Sequence, residues 1–510
     1  MTTTKIGVLC DLHLSKYNTS AQHAFLQKAI ERMQQDNITT VICLGDITSF
    51  GEISAWNDYQ EALSGFTHYE VLGNSDVRDS ATIDFFLSKT GTADFMVGNR
   101  RVIGLDTPYG EITDIDRQRL NTIKDGDVLF LHHYISSLNE ESRNWLTALI
   151  HEKTLTVLHG HGHRIFDEKY NHTQVWGMRG LDPEKAIGGY PSFNYLIISD
   201  DEIKLEECPL TASEQTPVDA SRYFGLSCVD NHRDVLYALE HGIKYIELRC
   251  NGNNWKPEAD LLPLLDAWRK KTCGYLSIHM PNLKWTDSTI TGKEQWQTAC
   301  EYAVLTGADG LTIHPPRIRL AQMPQGKETW NEFLEQYVKV AKTVPSHVKI
   351  GIENLHLEKN DTTDENRPFG CTTTEVSLWI DAINQALEQP GRVGHVLDVG
   401  HARRNKVLTQ MYPISRWFDI MGQETVAYHI HQVATTEKGM TNHLPITSWF
   451  GPFINYTAFF HCWETGQLNH VPIFLEVKGS ENFAASIQGF ADMLATAKQP
   501  TLLSSSLPET

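Results

Sequence analysis

Short apolar runs alternate with an amphipathic stretch along the N-terminal part of the chain. The apolar runs are KIGVLC, TTVICLG, HYEVLG, RRVIGL, DVLFLH and LTVLHG, and the helical pattern AQHAFLQKAIERMQQ separates the first two. Apolar runs without polar alternation are typical of strands that are buried on both faces, with helices covering the sheet. The pattern therefore predicts an α/β domain in this part of the chain.

The regular pattern stops at residues 206–222, EECPLTASEQTPVDASR, which are polar, contain two prolines and follow no period. Such a segment is typical of a linker. Beyond it, helix-like stretches separate the apolar runs FGLSCV, KYIELRC, YLSIHM, GLTIHP, KIGIENL, GHVLDVG, AYHIHQV and IFLEVKG. Eight strand-then-helix units predict a TIM barrel. We therefore expect one domain over residues 1–205, a linker over 206–222, a barrel over 223–498 and a loose tail over 499–510.

Composition and charge narrow the function only partly. Of 510 residues, 41% are hydrophobic and 21% are charged, which is ordinary for a globular protein. The formal net charge of -19 repels phosphate backbones and makes nucleic acid a less favoured partner than a small molecule. Neither a signal peptide nor an apolar run of about 18 residues is found, so the sequence predicts a cytoplasmic protein without a membrane partner. A homo-oligomer is compatible with these features.

Candidate metal ligands follow directly after strands of the N-terminal domain. Carboxylates, imidazoles and an amide oxygen together suit divalent Mn, Fe, Zn or Co. Two such ions about 3.5–4 Å apart can hold a phosphate and activate water, and a carboxylate has to bridge them. Asp46 is the natural bridge. The candidate ligands are Asp11, His13, Asp46, Asn74, His132, His161 and His163.

The motifs DLH, GD, GNSD, LHH and GHGH, in this order, resemble the signature of the calcineurin-like metallophosphoesterases. The resemblance implies a β-sandwich flanked by helices, two divalent ions, and catalytic roles for Asp46, Asn74 and His132. The first ion would be held by Asp11, His13, Asp46 and His163. The second ion would be held by Asp46, Asn74, His132 and His161.

Several positions within these motifs affect the expected chemistry. His132 directly follows an apolar run and is preferred as the ligand, with its neighbour His133 as the alternative, whereas His159 is expected to be structural. The family commonly has histidine in place of Ser75, where it protonates the leaving oxygen, and serine cannot act as an acid near neutral pH. A phosphodiester, or an ester with a good leaving group, is therefore the expected substrate. Asp76 is expected to shape the turn.

Ionisable residues also follow the strands of the second domain. In a TIM barrel, the C-terminal ends of the strands form the active face. So many ionisable groups in one mouth would be costly to bury without a cation among them, and a metal is the economical explanation. The residues at these strand ends are His279, His314, Glu353, Asp398, His401, His429, His431 and Glu476, and Glu247 lies on the second strand.

The motifs SIHMP, TIHPP, GIENLH, LDVGHA, YHIHQV and FLEVKG resemble the xylose-isomerase-like superfamily, which includes sugar isomerases, epimerases and apurinic-site nucleases of the endonuclease IV class. The resemblance implies one or more Mn, Zn or Mg ions. In the isomerases one ion is held by groups matching Glu353, Asp398, His429 and Glu476, and the two glutamates form the acid/base pair. The nucleases add groups matching His279, His314, His401 and a later histidine, here His443.

One departure leaves the reaction of the barrel open. The acidic residue expected two positions before His443 is Thr441, which places a full three-ion site in question. The leading hypothesis is a phosphoesterase acting on a small phosphorylated metabolite, joined to a barrel that isomerises, epimerises or hydrolyses a related sugar compound. A nucleic-acid-processing phosphodiesterase with a nuclease-like barrel is the second hypothesis. A phosphoesterase with a non-catalytic, sugar-binding barrel is the third.

Overall fold

A computed structural model describes residues 3–89, 93–211, 215–250, 258–405, 408–436, 439–451, 453–495 and 502–506. They form two compact units. The described residues of the first unit lie within 1–212, 450–458 and 496–510, and those of the second lie within 213–449 and 459–495. Segments distant in sequence thus contribute to the first unit.

The N-terminal segment of the first unit is rich in strands. Its strands are β1 (Thr4–Leu9), β2 (Thr40–Cys43), β3 (Thr67–Glu70), β4 (Asp94–Val97), β5 (Arg100–Leu105), β6 (Val128–Leu131), β7 (Thr156–His159), β8 (Phe166–Tyr170), β9 (Thr173–Gly177), β10 (Ser192–Ile198) and β11 (Glu202–Pro209). Its helices are α1 (Ala21–Gln35), α2 (Ile53–Ala62), α3 (Ile83–Leu87), α4 (Asp114–Arg119) and α5 (Glu140–Glu152).

The rest of the chain alternates strands and helices. The strands are β12 (Phe224–Ser227), β13 (Tyr245–Arg249), β14 (Tyr275–His279), β15 (Lys284–Thr286), β16 (Thr289–Thr291), β17 (Gly310–Ile313), β18 (Lys349–Glu353), β19 (Val393–Asp398), β20 (Thr425–Ile430), β21 (Gln432–Thr436), β22 (Gly439–Leu444), β23 (Ile473–Leu475) and β24 (Leu502–Ser506). The helices are α6 (Gln215–Ser221), α7 (Asn231–His241), α8 (Leu261–Thr272), α9 (Lys293–Leu305), α10 (Glu328–Thr343), α11 (Thr373–Leu387), α12 (Val399–Arg403), α13 (Leu408–Met411), α14 (Ile414–Met421), α15 (Thr457–Glu464) and α16 (Ser480–Ala495).

Two six-stranded sheets pack face to face in the first unit. Their strand orders are β24-β11-β10-β1-β2-β3 and β4-β5-β6-β7-β9-β8. Ile6 of the first sheet and Val102 and Phe130 of the second are buried in one shared apolar cluster. On the outer faces, Phe25 of α1 packs against the first sheet and Leu146 of α5 against the second. This architecture confirms the predicted β-sandwich flanked by helices.

The second unit contains a closed parallel barrel with the strand order β12-β13-β14-β17-β18-β19-β20-β23. Each of the eight predicted apolar runs forms one of these strands, which confirms the TIM barrel. The outer helices bury an apolar stripe, as in α10, where Trp330, Phe333 and Tyr337 are buried at spacings of three and four residues. The hairpins β15–β16 and β21–β22 follow the third and seventh barrel strands. Among the described residues, no helix combines the length and the apolar character needed to cross a membrane.

Regular elements also occupy segments that were expected to be irregular. The predicted linker at 206–222 begins inside β11 and contains α6, and the predicted loose tail at 499–510 contains β24, which pairs with β11 in antiparallel register. β11 alternates buried and half-exposed side chains, as expected of a strand with one covered face. The polar positions of this segment, together with Pro209 in β11 and Pro217 in α6, produced the linker prediction.

Candidate metal centres

Most candidate ligands of the first unit have a strained backbone. The φ angles are +48° at Asp11 and at His13, +52° at Asp46, +64° at His161 and +51° at His163. This left-handed conformation costs a residue with a side chain about 1–2 kcal/mol. Strained residues of this kind cluster at functional sites, where the surrounding fold holds them in place. The left-handed backbone at these strand ends is therefore the kind of strain that functional sites show.

Asp11, His13 and His163 form the first ligand group, with one ligand atom of each lying within 4.8 Å of the others. His163 Nε2 lies 3.8 Å from Asp11 Oδ1, and the two imidazoles stack with their centroids 5.2 Å apart. Both ring nitrogens of His13 are buried and have no hydrogen-bond partner among the described residues. Because an unsatisfied buried polar atom costs about 1–3 kcal/mol, this arrangement fits a cation at the group.

Asn74, His132 and His161 form the second ligand group. His132 Nδ1 faces the Leu44 carbonyl at 3.0 Å, so Nε2 is free to act as a ligand. That Nε2 lies 3.1 Å from Asn74 Oδ1 and 3.1 Å from His161 Nδ1, and these last two atoms are 2.9 Å apart. Ligands around one ion, with bonds of about 2.0–2.1 Å, have similar separations. Once His132 Nε2 has lost its proton, three acceptor atoms face one another, and a shared cation would satisfy all three.

The carboxylate of Asp46 lies between the two groups. Its Oδ1 is 3.4 Å from His132 Nε2, and its Oδ2 is 3.6 Å from His13 Nε2. Burial alone would raise the pKa of Asp46, but His132 and His13 hold it well below its usual range. Gly73 permits this approach, because a Cβ there would lie 2.3 Å from Asp46 Oδ1. This is the geometry of a bridging ligand.

The neighbouring motif residues have different surroundings. His133 stacks on His161 with centroids 4.4 Å apart, and His159 is buried with Nδ1 3.0 Å from the Gly160 carbonyl. The Ser75 backbone N–H donates to Asp46 Oδ1 at 2.7 Å and its Oγ donates to Oδ2 at 3.0 Å. Ser75 therefore fixes the bridging carboxylate. Asp76 accepts from Thr48 N and Oγ1, at 2.8 and 3.0 Å, and so holds the turn.

Two cations beside this site did not emerge from the motifs. The half-buried Arg78 lies next to Asn74, and its charge acts on Asp46 and His161. The charge of Lys185 lowers the pKa values of His13 and His163, which burial lowers most. The sequence signal for Arg78 is its position directly after GNSDV, but a lone arginine after a motif does not indicate a role by itself.

Glu353 at the end of β18 is the centre of the barrel site. Its Oε2 lies 3.1 Å from His279 Nε2 and 3.2 Å from His314 Nε2. Its Oε1 lies 3.3 Å from His401 Nδ1 and 3.5 Å from His429 Nδ1. All four imidazoles thus surround one fully buried carboxylate.

Hydrogen bonds fix which ring nitrogens can act as ligands in the barrel. His279 Nδ1 lies 3.2 Å from the Met280 carbonyl and His314 Nδ1 lies 2.6 Å from Asn282 Oδ1, so both rings present Nε2 to Glu353. At His429 the roles are reversed, because Nε2 lies 2.9 Å from Glu247. Carboxylates that hold the second nitrogen of a ligating histidine are typical of metal sites. Glu247, absent from the predicted ligand set, is therefore suited to orient His429.

The remaining ligand candidates extend the cluster along the barrel mouth. His429 Nδ1 is 3.2 Å from Glu476 Oε2, and Glu476 Oε1 is 3.4 Å from His443 Nδ1 and contacts Arg249. His401, His431 and His443 form a further group whose ligand atoms lie within 4.8 Å of one another.

His401, His431 and His443 are the third ligand group, and the predicted ligand set omits His431. Asp398 Oδ1 lies 3.2 Å from His431 Nε2, and Asp398 Oδ2 lies 3.3 Å from His401 Nδ1. His431 thus adds a ligand candidate to a group for which Thr441 supplies no carboxylate. A Cβ on Gly400 would lie 1.9 Å from the His431 ring, so only glycine allows the ring this position.

Comparisons with known proteins match both domains. A model of the xylose isomerase-like TIM barrel matches residues 235–496, and a model of the calcineurin-like phosphoesterase superfamily domain matches residues 4–178. Comparison with curated proteins finds no match.

Solved structures of both kinds are similar in part. A dimetal phosphatase from Danio rerio is 12% identical, with 40% of this chain and 95% of that chain covered and a TM-score of 0.32. A xylose isomerase domain protein from Alicyclobacillus acidocaldarius is 15% identical, with coverages of 53% and 98% and a TM-score of 0.37. A D-tagatose 3-epimerase-like protein is 17% identical, with coverages of 54% and 98% and a TM-score of 0.36.

Proposed function

We infer the function from the premise that the chain belongs to the xylose isomerase-like TIM barrel family and carries a calcineurin-like phosphoesterase domain before the barrel. We propose that the first domain hydrolyses a phosphate ester, namely a diester of a small phosphorylated metabolite. The observation that carries this proposal is the Asp46 carboxylate, whose two oxygens face the two separate ligand groups at 3.4 and 3.6 Å.

The residues of the first site would have different roles in such a reaction. Two divalent ions, when bound, polarise the phosphate and lower the pKa of water. Asp11, His13 and His163 would hold one ion, Asn74, His132 and His161 the other, and Asp46 both. Ser75 keeps the bridging carboxylate in place through its two hydrogen bonds. Since Ser75 supplies no acid, the leaving group has to depart without protonation from this position, which favours a diester with a good leaving group.

For the barrel we propose hydrolysis of a phosphorylated sugar compound. An isomerase needs one ion and two acid/base glutamates, for which Glu353 and Glu476 suffice. The barrel brings together more than this: the pair His279 and His314 at Glu353, and the separate group of His401, His431 and His443. Adjacent ions suit phosphoester hydrolysis, because they can stabilise the attacking and the leaving oxygen together.

A second candidate is a nuclease that acts on damaged nucleic acid, favoured by the same extended cluster. The net charge of -19 opposes it, because duplex binding usually relies on basic surface. Binding of a duplex with an abasic site, measured over a range of salt concentrations, distinguishes the nuclease from an enzyme that acts on a phosphorylated sugar. A steep loss of affinity with salt would favour the nuclease.

The test of the leading proposal compares Asp46→Asn and Glu353→Gln with the wild type on bis-p-nitrophenyl phosphate, with manganese loaded. We expect diester turnover to be lost in Asp46→Asn and kept in Glu353→Gln. Turnover lost only in Glu353→Gln would place the hydrolase in the barrel. An inactive, metal-loaded wild type would contradict the proposal for the first domain.

A further inference from the structure

Arg78 has the position of a substrate-binding residue in the first site. Its guanidinium is half-buried and adjoins the Asn74 carboxamide, and it forms no ion pair with any carboxylate in the described part of the chain. Its charge acts on His13 of one ligand group and on His161 of the other. Burial lowers the pKa of Arg78, and the charges of Asp46 and Asp76 oppose this shift, but neither carboxylate pairs directly with the guanidinium, which can therefore bind an anion.

The carboxamide of Asn74 links Arg78 to the metal ligands. With Oδ1 toward the imidazoles, Asn74 Nδ2 lies 2.6 Å from Arg78 Nη2, so two hydrogen-bond donors face each other. Turning the carboxamide round would let its oxygen accept from Arg78, but its nitrogen would then face His132 and His161. That second orientation removes an oxygen ligand from the second group. An ion at this group therefore requires the first orientation, which leaves both donors in need of an acceptor.

We propose that Arg78 and Asn74 Nδ2 together bind a non-bridging oxygen of the substrate phosphate. One anionic oxygen within hydrogen-bonding distance of both donors would satisfy both, next to the second ligand group to which Asn74 belongs. Arginine cannot donate a proton near neutral pH, so Arg78 does not replace the acid missing at Ser75. It supplies positive charge to the phosphate instead. This assignment rests on the proposed phosphoesterase function and restricts the substrate to a phosphate-type anion.

The test measures the binding of inorganic phosphate to the metal-loaded full chain by isothermal titration calorimetry. Arg78→Met keeps the length of the side chain and removes its charge, Arg78→Lys keeps the charge, and Arg32→Gln on the exposed face of α1 is the matched control. All variants carry Glu353→Gln, so that the barrel site does not contribute. Metal content is measured for each.

We expect Arg78→Met to weaken phosphate binding by about 10–100-fold, with Arg78→Lys in between and Arg32→Gln equal to its parent, at unchanged metal content. Equal phosphate affinity in Arg78→Met and its parent would overturn the assignment. Loss of metal in Arg78→Met would also overturn it, since Arg78 would then support the ligands and not the phosphate. An inactive wild type that still binds phosphate through Arg78 would refute the phosphoesterase proposal alone.

Discussion

The substitution Glu247→Gln tests how the barrel fixes the proton of His429. Glu247 is fully buried, and its Oε1 accepts from Thr312 Oγ1 at 2.6 Å and Ser277 Oγ at 3.1 Å, while Oε2 lies 2.9 Å from His429 Nε2. Burial would raise the pKa of Glu247, but His429 holds it at about 2, so the carboxylate accepts the Nε2 proton. Once the ring has lost its other proton, the lone pair of Nδ1 is free to act as a ligand beside Glu476.

In Glu247→Gln the two hydroxyl donors keep the amide oxygen, so the amide NH₂ faces His429 Nε2. The ring has to present a lone pair to this donor, and its proton moves to Nδ1. That atom lies 3.2 Å from Glu476 and 3.5 Å from Glu353, where the ligand is required. Replacing such outer partners typically weakens metal binding about 10–100-fold. This loss corresponds to about 1.4–2.7 kcal/mol of binding free energy. We expect a value near the upper end, because the proton then occupies the nitrogen that should bind the metal.

The assay is competition for manganese or zinc with a chromophoric chelator, together with metal content by mass spectrometry. Glu375→Gln is the matched control, because Glu375, on the outer helix α11, is also buried in the second unit but pairs with Arg367. We expect the control to bind metal like the wild type, and Glu247→Gln to release one ion per chain at low free metal. Identical metal affinity in both variants would refute the role of Glu247 as the residue that orients His429.

Three further predictions concern both sites. Gly400→Ala should displace the His431 ring, remove one ion from the barrel and destabilise the fold by about 1–3 kcal/mol. Metal uptake should release protons at pH 7.5. Burial lowers the pKa values of His132 and His429, but nearby carboxylates raise them to about 9 and about 10. Both rings must therefore lose a proton before they can bind a metal. Affinity should therefore rise with pH up to about 10, and calorimetry in buffers of different ionisation enthalpy counts the protons. Ser75→Ala should lower diester turnover about tenfold with both ions retained, because one hydrogen bond to a charged group is lost.

Each of these has a control or a contrary outcome. Gly65→Ala is the control for Gly400→Ala, because a Cβ on Gly65 meets nothing within 4 Å. An unchanged metal content in Gly400→Ala would remove His431 from the ligands. Uptake without net proton release would mean that both rings are neutral before metal binds. Loss of an ion from Ser75→Ala would show that Ser75 maintains the metal site itself.

The resemblances and the strand pattern identified most of both sites. DLH, GD, GNSD, LHH and GHGH each follow a strand, and the carboxyl ends of parallel strands in one sheet meet at one edge. The positions of Asp11 and Asp46, which follow the neighbouring parallel strands β1 and β2, could therefore be expected from this rule. The same reasoning placed Glu353 and Asp398 at the mouth of the barrel. His132 follows β6 of the other sheet, so its place in the site was implied only by the resemblance.

The sequence could not predict the roles of residues whose significance depends on their neighbours in the folded protein. Arg78 and Glu247 do not belong to a motif, and their significance depends on the 2.6 Å approach to Asn74 and the 2.9 Å approach to His429. His431 was visible in YHIHQV, but only its distance of 3.2 Å from Asp398 assigns it to the third group. The edge strand β24 and its neighbour β11 were also missed, because their polar positions do not follow the pattern of doubly buried strands.

The sequence by itself determined the two fold classes and the kinds of ligand at the strand ends, since hydrophobic periodicity and residue type are local properties. Only the tertiary structure decided which oxygen of Asp46 faces which ligand group, which nitrogen of each histidine is free to act as a ligand, and which cation adjoins Asn74. These depend on side chains from strands far apart in sequence, whose separation within a few tenths of an ångström is fixed by packing and hydrogen bonding.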